Sequence, residues 1–221
     1  MEALLVGAPG ELILVRHGQQ GTNTLNDPMR PYGGDMELSD LGMQQAAAVG
    51  AALSAERVDA VYTSPLQRAR TTANAIAGHH GLEPTVIDDL TEFEGYRHLP
   101  EGRTVLDVLG EDGVERMRQR FLDERRWDAL EYSEGAAGFR ARVGRAIDHI
   151  RSRHDEHARV VVACHAGVIN AVVSSVLAMG TDLVSFVAHA SITRINMGDG
   201  RLAVNAVNQD QHLRAAGLLT Y

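Results

Sequence analysis

The chain has 221 residues, 44% of them hydrophobic and 23% charged, which suits a globular protein with room for one α/β domain and a small excursion. A formal net charge of −8 excludes a general basic surface for nucleic acid or anionic membrane, so an anionic substrate has to be met by local cations. The single cysteine, Cys164, excludes an intrachain disulfide; with no basic leader in residues 1–10 and no apolar run of membrane-spanning length, a cytoplasmic setting is expected.

The first predicted element is the apolar run Leu12–Val15, which reads as a strand buried on both faces of a parallel sheet. It stops abruptly at Arg16, His17 and Gly18, where ligands of open α/β sheets bind. Residues 26–35 form a loop rich in Pro and Gly. A helix follows from an N-cap at Ser39, with Ala46, Val49, Gly50 and Leu53 on one face. The second strand is expected over Val58–Tyr62, then Thr63-Ser64-Pro65, and a helix over Leu66–His80 with Pro65 near its first position. Glu83–Ile87 is a third, short strand.

From Asp88 to about Gly135 the pattern turns polar and irregular, then helical with many charges; Val114, Met117, Phe121 and Leu122 mark one apolar edge. The stretch 94–135 is expected to be an insertion covering the end of the sheet within a single domain spanning residues 1–221. Phe139, Val143, Ile147 and Ile150 define an amphipathic helix running to about His154. Arg159–Cys164 is a second buried strand, ending in His165-Ala166-Gly167 and followed by a helix through about Met179. Ser191–Met197 and Leu202–Val207, joined by Gly198-Asp199-Gly200, read as a hairpin. Strand–helix alternation of this kind predicts an α/β fold, a mostly parallel sheet flanked by helices on both faces.

Right-handed crossovers bring the loops after these strands to one edge, gathering Arg16, His17, Arg68, Glu92 and His165. A guanidinium forks onto two phosphate oxygens, and a neutral imidazole nitrogen can attack phosphorus. The combination suggests phosphoryl transfer through a histidine, with an acid to protonate the leaving oxygen.

Over nearly its whole length the sequence resembles the histidine phosphatase superfamily, phosphoglycerate mutase-like branch. The resemblance rests on Arg16-His17-Gly18 with Asn23, on Leu38-Ser39, Gly42, Gln45 and Ala46, and on Ser64-Pro65-Leu66 with Arg68, Ala69, Thr72 and Ala73. It rests also on Cys164-His165 with Gly167, and on Asn208 with His212-Leu213. It implies a three-layer fold and a metal-independent phosphomonoesterase, free of any cofactor, acting on a small phosphorylated metabolite. Carried over by position, His17 is the nucleophile and Glu92 the proton donor. Arg16, Arg68 and His165 hold the phosphoryl group, with Asn23, Gln20 and the Gly18 backbone adding substrate contacts. A backbone carbonyl is expected to fix the tautomer of His17. Gln20 departs from the family's usual Thr or Ser, and Ala166-Gly167 from its usual Gly-Gly.

Alternatives stay open on the residues. Glu94 competes with Glu92 for the acid role, and Arg97 and His98 are divided between pocket lining and solvated loop. Cys164 reads as an inert strand residue; His149, His154, His157 and the pair His79-His80 read as helix-end surface groups. A phosphoglycerate mutase resembling this chain usually carries Glu-Arg-x-Tyr-Gly after the acid, whereas here Glu92-Phe-Glu94-Gly95-Tyr96 leads into an acidic stretch, Glu101–Asp112. Hydrolysis is therefore favoured over mutase chemistry and over a non-catalytic phospho-ligand domain. The oligomeric state is open, with a homodimer through a sheet edge or the hairpin as one candidate.

Overall fold

The computed structural model describes residues 10–21, 35–198 and 200–221. Its centre is a six-stranded sheet of order β3-β2-β4-β1-β5-β6. The strands are β1 (Gly10–Arg16), β2 (Ala60–Thr63), β3 (Thr85–Val86), β4 (Arg159–Cys164), β5 (Ile192–Gly198) and β6 (Arg201–Gln209). β1, β2, β3 and β4 run parallel, while β5 and β6 are antiparallel additions beyond β1. The mostly parallel sheet expected from the alternation is what forms.

Strand periodicity divides the core into two layers. Ile13 and Val15 of β1, with Val161 and Ala163 of β4, face α1 (Asp40–Leu53), α2 (Gln67–Ala77) and the Leu213 side chain of α6 (Gln211–Ala216). Leu12 and Leu14, with Val160, Val162 and Cys164, face α4 (Ala136–Ser152) and α5 (Ala166–Val176). Leu12–Val15 have no exposed surface, which is why their sequence is continuously apolar and does not alternate.

The ends of several elements differ from the sequence expectations. Ser39 does cap α1, its hydroxyl accepting from the Gly42 amide. α2 starts at Gln67, with Leu66 extended as its N-cap, so Pro65 precedes the first helical position by two residues. β3 shrinks to two residues. α5 stops at Val176, and Ala178 takes a positive φ of 50° that ends helical continuation before Met179. The hairpin strands pair as expected, from Gly198↔Arg201 to Ile192↔Gln209, while Asp199 of the connecting turn lies outside the described residues. α6 has no counterpart among the predicted elements; at six residues it is too short to show an apolar period.

Within the stretch 94–135 lies α3 (Val105–Glu124), opened by a capping box between Thr104 and Asp107 and kinked at Gly110, whose φ is +67°. Of its predicted apolar edge Met117 is buried and Leu122 is exposed. Trp127 anchors the stretch by stacking on Phe93 with ring centroids 4.6 Å apart and meeting Phe139 edge-on. Buried Asp182 ties it further, accepting from the Trp127 amide at 2.9 Å and from Arg140 Nε at 2.7 Å.

At the opposite end of the sheet, Glu11 and Glu56 pair with Arg159 and Arg194 in a closed four-residue net. Glu11 and Arg194 are nearly buried, so removing one carboxylate leaves guanidinium charge without full compensation. Glu11→Ala is expected to lower the unfolding free energy by roughly 3 kcal/mol in urea titrations while leaving turnover unchanged, because the net lies at the far end of the strands from His17.

Candidate active site

β1 and β4 are neighbours in register Arg16↔Cys164, so the residues just past their ends, His17 and His165, emerge side by side. Their rings meet edge-on with centroids 5.1 Å apart. The His17 amide donates to Cys164 O at 2.9 Å, which locks the two strand ends together.

His17 is held in one tautomer. Nδ1 lies 2.6 Å from the Gly18 carbonyl, which can only accept, so Nδ1 carries the proton. Nε2 accepts from Arg68 Nε at 3.2 Å and keeps its lone pair on the side of the cations. Burial, then His165, Arg16 and Arg68, hold the His17 pKa well below the ordinary histidine value. Gly18 is needed for this packing: a Cβ there would stand 2.4 Å from the Gly42 carbonyl oxygen at the start of α1.

The flanking groups converge from separate elements. Arg68 enters from the first turn of α2 and is buried. Arg16 Nη1 donates to Val187 O at 2.5 Å and Nη2 to His189 Nε2 at 2.8 Å, while its buried Nε has no protein partner among the described residues. Burial brings Arg16 down to about 10, so it remains a cation near neutrality. His165 Nε2 lies 2.8 Å from Ser64 Oγ, which itself accepts from the Leu66 amide. His165 Nδ1 is buried with no protein partner among the described residues, and it is a donor in the tautomer in which the Ser64 hydroxyl donates to Nε2.

Glu92 supplies the carboxyl. The Phe93 amide donates to Oε1 at 2.8 Å and the Gly167 amide to Oε2 at 3.2 Å. Both bonds and the two arginines favour the carboxylate, yet burial outweighs them and raises the pKa. Glu94 is different: its half-exposed side chain pairs with half-exposed Arg97, which leaves Glu92 as the less exposed acid of the two. The loop carrying Glu92 is gripped by Arg142 of α4, which donates to the carbonyls of Asp89, Thr91 and Glu92 at 2.9, 2.5 and 2.9 Å. Glu134 completes the clamp with a two-pronged pair to Arg142 and accepts from the Glu94 amide.

Sequence reasoning brought together Arg16, His17, Arg68, Glu92 and His165, and the structure does the same. Gln20 sits half-buried at the edge, its backbone bridged to Leu38, while Asn23 lies outside the described residues. Cys164 is fully buried, with its thiol pKa pushed up by burial, as an inert strand residue should be. His154 contacts the Tyr62 hydroxyl at 3.0 Å, away from this cluster. Three sets of contacts were not read from the sequence, although Thr72 was among the motif residues. Thr72 accepts from the Gly18 amide; the Arg142–Glu134 clamp was legible only as an Arg eight positions after a Glu; and His189 carried no signal. His189 is 7% exposed, 5.8 Å from the His17 ring, and held down to about 3 by burial and by Arg16.

The family model for the histidine phosphatase superfamily (branch 1) matches residues 12–210. Phosphoserine phosphatase 1 of Hydrogenobacter thermophilus is 32% identical over 209 residues, covering 92% of this chain and 94% of that protein. The metal-independent phosphoserine phosphatase of Arabidopsis thaliana is 28% identical over 215 residues, covering 95% and 85%. Among solved structures, phosphoglycerate mutase from Bacillus anthracis superposes with a TM-score of 0.74 at 21% identity, covering 95% of this chain and 97% of that one, a likeness of fold.

Two outcomes follow from this geometry. A Cβ on Gly167 would fall 2.2 Å from Glu92 Oε1, so Gly167→Ala is expected to displace the carboxyl and lower kcat at least about tenfold, with a thermal melt close to that of the native protein. His17, His165 and His189 all have lowered pKa values, so the unfolded chain binds more protons below about pH 6.5 and stability falls with acid. Calorimetry should show Tm dropping between about pH 7 and about pH 5, before carboxylates such as Glu56 titrate; a flat profile there would contradict neutral burial.

Proposed function

The chain belongs to the histidine phosphatase superfamily, and from that premise we propose that it is a phosphomonoester hydrolase working through a phosphohistidine on His17. The observation that carries this reading is the His17 ring, protonated at Nδ1 against the Gly18 carbonyl, with an unprotonated Nε2 that accepts from Arg68 Nε. The Nε2 lone pair forms the N–P bond as the P–O bond to the leaving group breaks. Glu92, whose pKa burial raises, acts in its protonated form and gives its proton to the departing oxygen. The Gly18 carbonyl stabilises the positive ring through Nδ1–H, while Arg16, Arg68 and His165 Nδ1–H face the phosphoryl oxygens. Water then attacks phosphorus, Glu92 takes its proton, and the N–P bond breaks to release inorganic phosphate. Every proton and electron pair in this cycle is supplied by side chains of the chain and by water.

The substrate proposed is a small phosphorylated metabolite. Two relatives named as phosphoserine phosphatases support placing phosphoserine in the first panel. We read residues 94–135 as part of the one domain and as a cap that sets which leaving group enters, because Trp127 packs on Phe93, the residue next to the acid. Its acidic run Glu101–Asp112 disfavours a bisphosphorylated ligand and hence mutase chemistry. Among the described residues no helix is long and apolar enough to cross a membrane, and the lone buried thiol supports a cytoplasmic setting. A homodimer across the outer edge at β6 is the assembly proposed.

The test is phosphate release from a phosphomonoester panel in EDTA, including 3-phosphoglycerate with and without its bisphosphate and with isomer formation followed. Native protein is expected to release phosphate in chelator and to form an acid-labile phosphoenzyme. His17→Ala should do neither, and Glu92→Gln should lower kcat about 100-fold or more on substrates with poor leaving groups. Phosphate release that survives His17→Ala would refute the mechanism.

A further inference from the structure

His189 is paired with Arg16 and is not itself used by the proposed chemistry. The segment carrying His189 is pinned on every side. The Ala188 amide donates to Asn208 Oδ1 at 2.7 Å, the Ala190 amide to His17 O at 3.2 Å, and His212 Nε2 to Ala190 O at 3.0 Å. Asn208 sits at a positive φ of 56°, a conformation asparagine tolerates, to make its contact. Two residues of the resemblance motif near the end of β6 therefore serve to hold the His189 backbone.

The His189 ring is fixed from both nitrogens. Arg16 can only donate, so His189 Nε2 accepts and Nδ1 keeps the proton. That proton goes to Thr220 Oγ1 at 3.0 Å, while the His189 amide donates to Thr220 O at 2.9 Å. The same hydroxyl oxygen accepts a second bond, from Gln45 Nε2 at 2.8 Å. Gln45 is fully buried in α1, donates also to Leu218 O at 2.7 Å, and accepts from the Gln19 amide at 2.7 Å. One oxygen thus gathers two arms. The first runs through His189 to the guanidinium of Arg16, and the second runs through Gln45 to the backbone immediately after Gly18.

We propose that the Thr220 hydroxyl is a positioning group for the phosphate site, setting Arg16 through His189 and the Gln19 backbone through Gln45. This rests on the reading of Arg16 as a phosphate ligand. A guanidinium at a strand end has several rotamers, and a phosphoryl group gains most from a fork already aimed at it. A neutral imidazole suits this task because it accepts from Arg16 without neutralising the cation that the phosphoryl group needs; a carboxylate in its place would compete with the substrate for the same charge.

The experiment titrates orthovanadate and inorganic phosphate calorimetrically into native protein, Thr220→Val, Thr220→Ser and His189→Leu, with KM and kcat on p-nitrophenyl phosphate alongside. Thr220→Val keeps the side-chain shape and removes the hydroxyl. It is expected to weaken both anions and raise KM about 3- to 10-fold, with a smaller change in kcat and a nearly unchanged melt. Thr220→Ser, which restores the oxygen, should return affinity to within about twofold of native. His189→Leu, which strands Arg16 Nη2, should exceed the effect of Thr220→Val in the same direction. Native-like anion affinity in Thr220→Val would overturn the proposal, as would an equal loss in Thr220→Ser. Affinity is read without turnover, so the two readings fail separately: phosphate release surviving His17→Ala removes the nucleophile assignment and leaves the anion series standing. Native protein that binds neither anion would overturn both.

Discussion

The site depends on keeping a buried imidazole neutral among cations. His17 lies between Arg16 and Arg68 and beside His165, with its proton committed to the Gly18 carbonyl. Proximity of positive charge and loss of water both oppose protonation, and the outcome is an unprotonated Nε2 whose lone pair accepts from Arg68 Nε. The same arrangement leaves two guanidiniums facing one carboxyl whose pKa burial raises, so even when ionised that carboxylate offsets only one of the two positive charges. The electrostatic complement of the cluster is a phosphoryl dianion. A site of this kind is costly to the folded chain when empty and is stabilised by the ligand it awaits.

The scaffold meets that cost with parts that are otherwise well satisfied. Strand residues above and below the sheet centre are fully buried, and α1, α2, α4 and α5 close both faces. At the other end of the strands, the Glu11–Glu56–Arg159–Arg194 net balances its own charge without involving the site. Separation of the two charge clusters by the length of the sheet lets one be compensated and the other held unbalanced. Close backbone approaches at Gly18 and Gly42 then bring α1 onto the His17 loop, and Gly167 brings α5 onto Glu92. Glycine at these places is a steric requirement of the groups packed against it.

Two clamps orient what the strands deliver. Arg142 and Glu134 grip the acid loop by its carbonyls and one amide, so Glu92 has little freedom to follow its preference for water. His189, Thr220 and Gln45 close on Arg16 and on the backbone after Gly18 from the other side. In both cases a polar group that touches no phosphate governs one that would, which is how a strand-end cluster acquires directional donors.

The sequence by itself determined the strands, the layers and the five convergent side chains. Those features are written locally: an apolar run that ends in Arg16-His17-Gly18 is a buried strand meeting a ligand edge, and the same grammar recurs at Cys164-His165. The sequence left the acid open between Glu92, favoured by the resemblance, and Glu94; in the fold Glu94 is half-exposed and paired with Arg97, while two backbone amides hold the Glu92 carboxyl. Only the tertiary structure decided the roles of His189, Thr220 and the Arg142–Glu134 clamp, and the existence of α6. Arg16 and His189 are 173 positions apart, Gln45 and Thr220 are 175, and Arg142 reaches back about fifty residues to its carbonyls. A histidine in Val187-Ala188-His189-Ala190 has no periodicity or neighbour to mark it, because its function arises from chain crossing over the end of β1. Local pattern encodes what a segment becomes; which polar groups then meet is set by the packing of distant segments, and a single chain's sequence does not spell that out.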